Sequence, residues 1–156
     1  MQLELELTTF NFRSERHKGC INLVYTSGLI FNAYENFFRQ YELTTQQYNI
    51  LRILRVDYPD PVSTSVLRER MLDKMSDVSR LVSRLKNKNL VSVTPNPADK
   101  RLVNIVLSEK GIELMHRIDE AAPLLDSMLV DLDEQEASTL NSLLDKVRDS
   151  VRKFKI

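Results

Sequence analysis

Residues 76–87 constrain this chain more than any other stretch. Val78, Leu81, Val82 and Leu85 recur at i, i+3, i+4 and i+7, which predicts a helix with one narrow buried stripe. The rest of that helix displays Ser76, Asp77, Ser79, Arg80, Ser83, Arg84 and Lys86. After it come a β-rich run, Leu90–Thr94, a turn at Pro95–Lys100 and a second β-rich run, Arg101–Leu107. That pattern predicts a hairpin with a long, proline-stiffened, partly basic tip. Before it, Thr44 or Thr45 caps a helix to about Val56, Asp57–Pro61 forms a turn, and Ser63 caps a short helix to about Met71. Three short helices followed by a two-stranded hairpin make a winged helix-turn-helix lobe over residues 44–107, with the wing at about 91–107.

Long helices flank this lobe. Residues 16–41 read as one helix, with Ile21, Val24, Tyr25, Gly28, Phe31, Tyr34, Phe37 and Phe38 at mostly three- and four-residue steps. Leu23, Leu29 and Ile30 fall outside that stripe, so this helix is apolar on more than one side. Ser108 starts a second long helix to about Val130, bent near Pro123. Asp133 and Glu136 form a capping-box start for a last helix to about Phe154. Its Leu140, Leu144, Val147, Val151 and Phe154 make a two-heptad seam suited to another helix. The first and last helices carry more apolar surface than a small winged lobe can cover. Residues 1–41 and 108–156 are therefore expected to supply dimerisation helices to a single domain spanning 1–156. The fold class is mainly α with a small β-hairpin. Residues 1–12, with Leu3, Leu5 and Leu7 alternating with polar neighbours, read as an extended arm.

The charge is unevenly spread. The chain has 156 residues and a formal net charge of zero, yet Ser63–Arg101 holds nine basic residues against four acidic ones. Asp131–Asp149 holds six acidic against two basic. A basic block within a neutral chain is the electrostatic footprint of a polyanion-binding face. Other classes are excluded. One cysteine allows no disulfide within the chain and fits a reducing cytosol. One Cys and two His, His17 and His116, build no cysteine-rich zinc site, and no metal or cofactor is expected. Glycine only at 19, 28 and 111 leaves no phosphate-cradling loop. No G-x-S-x-G and no paired carboxylates in an apolar run argue for an enzyme. No run approaches the roughly 18 apolar residues of a membrane span, and the acidic start is unlike a secretory signal, so a cytoplasmic protein is expected.

The helix at 76–87 meets the physical needs of a major-groove reader. Small Ser76, Ser79 and Ser83 let its axis approach the base edges, while Arg80 and Arg84, four apart, can reach guanine edges or phosphates. Asp77 would repel phosphate but could accept from a cytosine amino group. At this point the sequence resembles the MarR family of winged helix-turn-helix transcriptional regulators, over roughly residues 20–150. The resemblance is carried by Leu43–Leu51, by Val78–Leu85 running into Leu90-Val91, by Asp99-Lys100-Arg101 at the wing and by Val106–Gly111. Asn89 stands where the family usually has Gly, and Asn tolerates the left-handed turn this requires.

The resemblance implies a homodimer on a pseudo-palindromic DNA operator, acting as a repressor. It also implies a small aromatic effector that shifts the spacing of the two reading helices. At the wing, Asp99 is expected to hold Arg101 in position as a contact to DNA, while Lys100 stays solvated or touches phosphate without reading sequence. Tyr25, Phe31, Tyr34, Phe38 and Tyr48 are candidate pocket residues, with core packing as the alternative. Cys20 stands where the peroxide-sensing branch carries its reactive cysteine, but Tyr25 is one position out of register with a partner tyrosine of that branch. A structural cysteine is the plainer reading. A winged helix that binds protein is the remaining alternative to one that binds DNA.

Overall fold

Side-chain caps set where the helices begin. In the computed structural model, which describes residues 3–7, 11–97, 99 and 102–154, α1 spans Leu3–Glu6 and α2 spans Glu15–Arg39. Ser14 Oγ accepts from the His17 N–H at 3.2 Å to start α2. Thr44 starts α3, Thr45–Asp57, through a full capping box: its hydroxyl accepts the Gln47 N–H at 3.2 Å, and Gln47 Oε1 accepts the Thr44 N–H at 3.1 Å. Glu35 of α2 adds a carboxylate acceptor for the Thr45 N–H at 2.8 Å, and so fixes α3 against α2. Ser63 caps α4, Thr64–Arg70, and Asp77 caps α5, Val78–Asn87.

The wing pairs β1, Val91–Pro95, with β2, Val103–Leu107, in an antiparallel register of Val91 with Leu107 and Val93 with Ile105. Val62, just before the α4 cap, exchanges both backbone hydrogen bonds with Ile105, at 2.9 and 3.0 Å. This bridge ties the helix-turn-helix to the wing. α6 then runs Glu109–Ala121. The core of this part lies where α3, α5, β2 and α6 converge, and Ile50, Leu51, Leu67, Leu85, Ile105 and Met115 are all fully or almost fully buried there. Removing each such side chain from water contributes roughly 1.5–3 kcal/mol.

Met1–Ile118 and Asp119–Ile156 form separate compact units. In the second, α7 spans Pro123–Asp126, a 3-10 turn follows at Ser127–Leu129, and α8 spans Glu134–Lys153. Asp133 and Glu136 make both bonds of the expected capping box, at 2.8 and 3.0 Å.

Two expectations are corrected. Leu3–Glu6 is one helical turn rather than part of an extended arm. Leu3 and Leu7 stand four apart, a spacing that suits one helix face as well as one strand face, and the Leu7 N–H donates to the Leu3 carbonyl at 2.9 Å. Within the rest of that arm, residues 1–2 and 8–10 lie outside the described residues. The helix expected from Ser108 to Val130 stops at Ala121, and Pro123 opens a new one. Pro123 has no N–H to offer Asp119, whose carbonyl instead takes the Ala122 N–H at 3.1 Å.

Candidate nucleic-acid interface

α5 is bound to the lobe along one edge and free along the other. Val78, Val82 and Leu85 are buried, and Leu81 is half-buried. At 100° per residue, Arg80, Ser83 and Asn87 face directly away from that stripe. Ser79 and Lys86 flank them on one side and Arg84 on the other. All six are exposed. Sequence reasoning anticipated five of the six; Asn87 was missed, although its position on the wheel was available to it.

Asp77 is the N-cap of α5: its Oδ1 accepts the Arg80 N–H at 3.1 Å. Ser76 lies before the helix, half-buried, and donates to Asp73 Oδ2 at 3.0 Å. Both side chains therefore have local partners that the sequence did not disclose. At the other end of the helix, Asn89 adopts φ 60°, the left-handed geometry expected of it.

Tertiary folding adds neighbours to the arginines. A cavity of about 260 Å³ is lined by Thr44, Gln46, Asp73, Ser76, Asp77, Arg80 and Arg84. Another of about 450 Å³ is lined by Arg39, Glu42, Thr44, Gln47, Arg84, Asn87 and Lys88. Thr44 and Arg84 belong to both, so the two form one groove along the Arg80–Arg84 side of α5. Among the described residues Arg39, Arg80, Arg84 and Lys86 make no ion pair. Asp73 and Asp77 accept hydrogen bonds within the turn and at the cap. The groove thus carries the cations Arg39, Arg80, Arg84 and Lys88 together with the carboxylates of Glu42, Asp73 and Asp77. Arg39, from the end of α2, could not have been assigned to it without the fold.

The C-terminal end of α5 is held from two sides. Lys88 Nζ donates to the Glu42 carbonyl, and Lys110 Nζ donates to the Lys88 carbonyl at 3.1 Å. Ser108 Oγ donates to the Asn89 carbonyl at 2.7 Å and accepts the Gly111 N–H at 3.0 Å. These bonds fix the pitch of α5 relative to α3 and α6.

At the wing tip, Asn96 organises the turn. Its Oδ1 accepts the Asp99 N–H at 3.1 Å, its Nδ2 donates to Asn104 Oδ1 at 2.9 Å, and its own N–H donates to the Leu102 carbonyl at 3.0 Å. Asp99 is exposed there. The expected wing contacts Lys100 and Arg101 lie outside the described residues.

Three of the five candidate pocket aromatics, Tyr34, Phe38 and Tyr48, come together as stacked rings. Phe38 is fully buried, stacked on Tyr48 at 4.1 Å and on Tyr34 at 6.0 Å between ring centroids, so it belongs to the α2–α3 core rather than to an open wall. Tyr25 lies nine residues before Tyr34, about 13 Å along α2. Its hydroxyl donates to Glu6, a bond that pushes its pKa above the ordinary value of 10.0. Phe31 is exposed. Cys20 is exposed on α2, and His17 Nδ1 accepts the Arg13 N–H at 3.2 Å. Among the described residues no cluster of His, Cys, Asp and Glu could hold a metal, and no helix is long and apolar enough to cross a membrane.

Comparison with known proteins agrees with this geometry. Residues 41–102, from the start of the lobe into the wing, match the model of the MarR family. The HTH-type transcriptional regulator PecS of Dickeya dadantii (strain 3937) is 28% identical over 121 residues, covering 76% of this chain and 73% of PecS. The organohalide-sensing RdhR-CbdbA1625 transcriptional regulator in its 2,4-dichlorophenol-bound form superposes with a TM-score of 0.78 at 24% identity, covering 88% of this chain and 81% of that one. The MepR–DNA complex of S. aureus gives a TM-score of 0.75 at 22% identity, covering 84% and 96%. In its winged lobe and the exposed arginines of α5 the chain is similar to these transcriptional regulators, and its residues 41–102 carry the MarR-family pattern.

Proposed function

We propose that this protein is a homodimeric repressor that places one α5 in the major groove of each half of a pseudo-palindromic operator. The observation that carries this reading is α5 itself, an edge-anchored helix that exposes Arg80 and Arg84 beside a groove also lined by Arg39 and Lys88. Arg80 reads a guanine edge, and Ser79, Ser83 and Asn87 allow or make close approach to the bases. Arg84, Lys86 and Arg39 hold flanking phosphates and so set register without reading sequence. Asp77 contributes by fixing the start of α5. Asp99 shapes the wing tip, from which Lys100 and Arg101 reach the flanking backbone or minor groove.

Dimerisation is supported by the apolar side chains that α2 and α8 leave in solvent. Val24 and Leu29 on α2 and Leu143 and Val151 on α8 are all more than half exposed. A repressor follows from occupancy, because a dimer on the duplex blocks the same stretch to other proteins. Release by a small aromatic molecule is supported by the dichlorophenol-bound relative and requires a ligand that prefers one spacing of the two α5 helices.

Selection of bound sequences from random duplexes tests the reading. The expected consensus is two-fold symmetric with half-site centres about 10 bp apart. Its affinity is expected to fall about linearly, in logarithmic terms, with salt as counterions are released. A consensus without two-fold symmetry refutes the dimer on its operator. Absence of salt-dependent duplex binding refutes the DNA interface and favours a protein-binding winged helix.

A further inference from the structure

Among the described residues α3 buries two polar side chains, Gln47 and Asn49. Gln47 serves the Thr44 capping box. Asn49 is not part of that box. Its Oδ1 accepts the Leu72 N–H at 2.9 Å, across 23 positions of chain, where α4 gives way to the connection into α5. An N–H can only donate, so the amide meets it with its oxygen and the orientation of the group is fixed. Asn49 Nδ2 is then buried with no hydrogen-bond partner. A buried donor without an acceptor costs free energy, and an apolar side chain would fill the same space without that cost. Packing therefore does not account for an amide at this position; the bond to Leu72 does.

That bond holds the first residue of a short relay. The connection runs from buried Met71, the C-cap of α4, to Asp77, the N-cap of α5. After Leu72, Asp73 Oδ1 accepts the Met75 N–H at 2.9 Å and Oδ2 accepts the Ser76 hydroxyl at 3.0 Å. The Ser76 carbonyl accepts the Val78 N–H at 3.0 Å, and Asp77 Oδ1 accepts the Arg80 N–H at 3.1 Å. Arg70 at the end of α4 also pairs with Asp57 of α3, but both side chains are partly exposed, and such a pair holds weakly. The buried amide is thus the firm tie between α3 and the backbone that starts α5. An arginine reading a guanine edge with two parallel hydrogen bonds tolerates little displacement of that start, because both bonds need fixed geometry.

We propose that Asn49 is a positioning residue for DNA recognition, which through the Leu72 N–H fixes the start of α5 and so the angle at which Arg80 meets a base edge. Asn49 touches no DNA itself. Phosphate contacts from long side chains such as Arg39, Arg84 and Lys86 carry no sequence information and adapt to a small shift. Loss of the Asn49–Leu72 bond therefore weakens the choice of sequence rather than the hold on duplex. The assignment rests on the proposed docking of α5 in the major groove.

The experiment uses the full-length protein, the duplex it selects and a scrambled duplex of the same length and composition. Binding to each is measured by fluorescence anisotropy at a temperature where circular dichroism shows the variants folded. Asn49→Leu removes the acceptor. Leu72→Pro removes the donor at a residue whose side chain is exposed, and Met71 before it already has ψ 139°, the extended backbone that proline requires of its predecessor. Each variant is expected to lower the preference for the selected over the scrambled duplex by about fivefold or more, with affinity for the scrambled duplex and its salt slope kept. The double variant is expected to fall no further than either single one, because both remove the same bond. An unchanged preference in either folded variant overturns the proposal, as do additive losses in the double variant. An equal loss on both duplexes overturns it too, since that is what a merely structural residue would give. A wild type without salt-dependent preference for any duplex would instead overturn the DNA reading on which the proposal rests.

Discussion

Gly111→Ala sets two physical effects against each other. Gly111 lies in α6, where replacing Gly with Ala in a helix interior favours folding by about 1 kcal/mol. A Cβ built at Gly111, however, would stand 2.2 Å from the Leu90 carbonyl oxygen and 3.3 Å from Leu107 Cδ2. The oxygen belongs to backbone that cannot rotate away, and it already accepts the Ser108 N–H at 3.1 Å. Relief requires α6 and the start of β1 to part by about 1 Å, a strain on the order of the 1–3 kcal/mol of overpacked cores. Separation also weakens the Ser108–Leu90 bond, worth about 1 kcal/mol. The steric cost outweighs the propensity gain, and the net expectation is about 1–3 kcal/mol of destabilisation. For a chain of this length that is roughly 2–4 °C of melting temperature per kcal/mol. The assay is thermal unfolding followed by circular dichroism at one fixed protein concentration, since association shifts the midpoint. A midpoint equal to or above the wild type would refute the close approach of α6 to the Leu90 carbonyl beyond the end of α5.

Other perturbations probe different links. Arg80→Ala is expected to cost about 1–3 kcal/mol in binding to the selected duplex and to relax preference at one base step; an unchanged consensus would show that Arg80 does not read a base. Glu42 adopts φ 55°, a geometry costly for a side chain with a Cβ, so Glu42→Gly is expected to raise stability by about 0.5–1 kcal/mol in urea unfolding; a decrease would refute the strain. The Tyr25 hydroxyl bonded to Glu6 has its pKa raised, so the folded state holds that proton more tightly. The bond's contribution is therefore complete below the ordinary phenol value and is lost as pH climbs through the raised one. Unfolding midpoints of the wild type and Tyr25→Phe are expected to differ near neutrality and converge in strong alkali, whereas a constant offset would exclude that titration.

Much of the lobe was legible in the sequence because its signals are local. Thr44 with Gln47 and Asp133 with Glu136 are capping boxes three residues long, and both are made. The stripe Val78, Leu81, Val82, Leu85 needs only helical geometry to show which edge of α5 is anchored. Short or interrupted elements were less legible. Over Leu3–Glu6 the alternation of leucines fits a strand and a helical turn about equally, and hydrogen bonding chose the turn. At Pro123 the sequence marked the break but not whether the helix bends or ends.

What the chain's order of residues determined was where the capped helices α3, α4 and α8 begin, the buried edge of α5 and the polar, partly basic character of its exposed edge, because periodicity and capping act over a few residues. Tertiary structure alone decided which distant groups share a site. Arg39 meets Arg84 across 45 positions of chain only because Glu35 and the Phe38–Tyr48 stack fix α2 against α3. Ser108, Lys110 and Gly111 clamp the end of α5 only because no Cβ at 111 keeps α6 from the Leu90 carbonyl. Contacts of this kind depend on how packed elements cross, and no local pattern of side chains encodes a crossing.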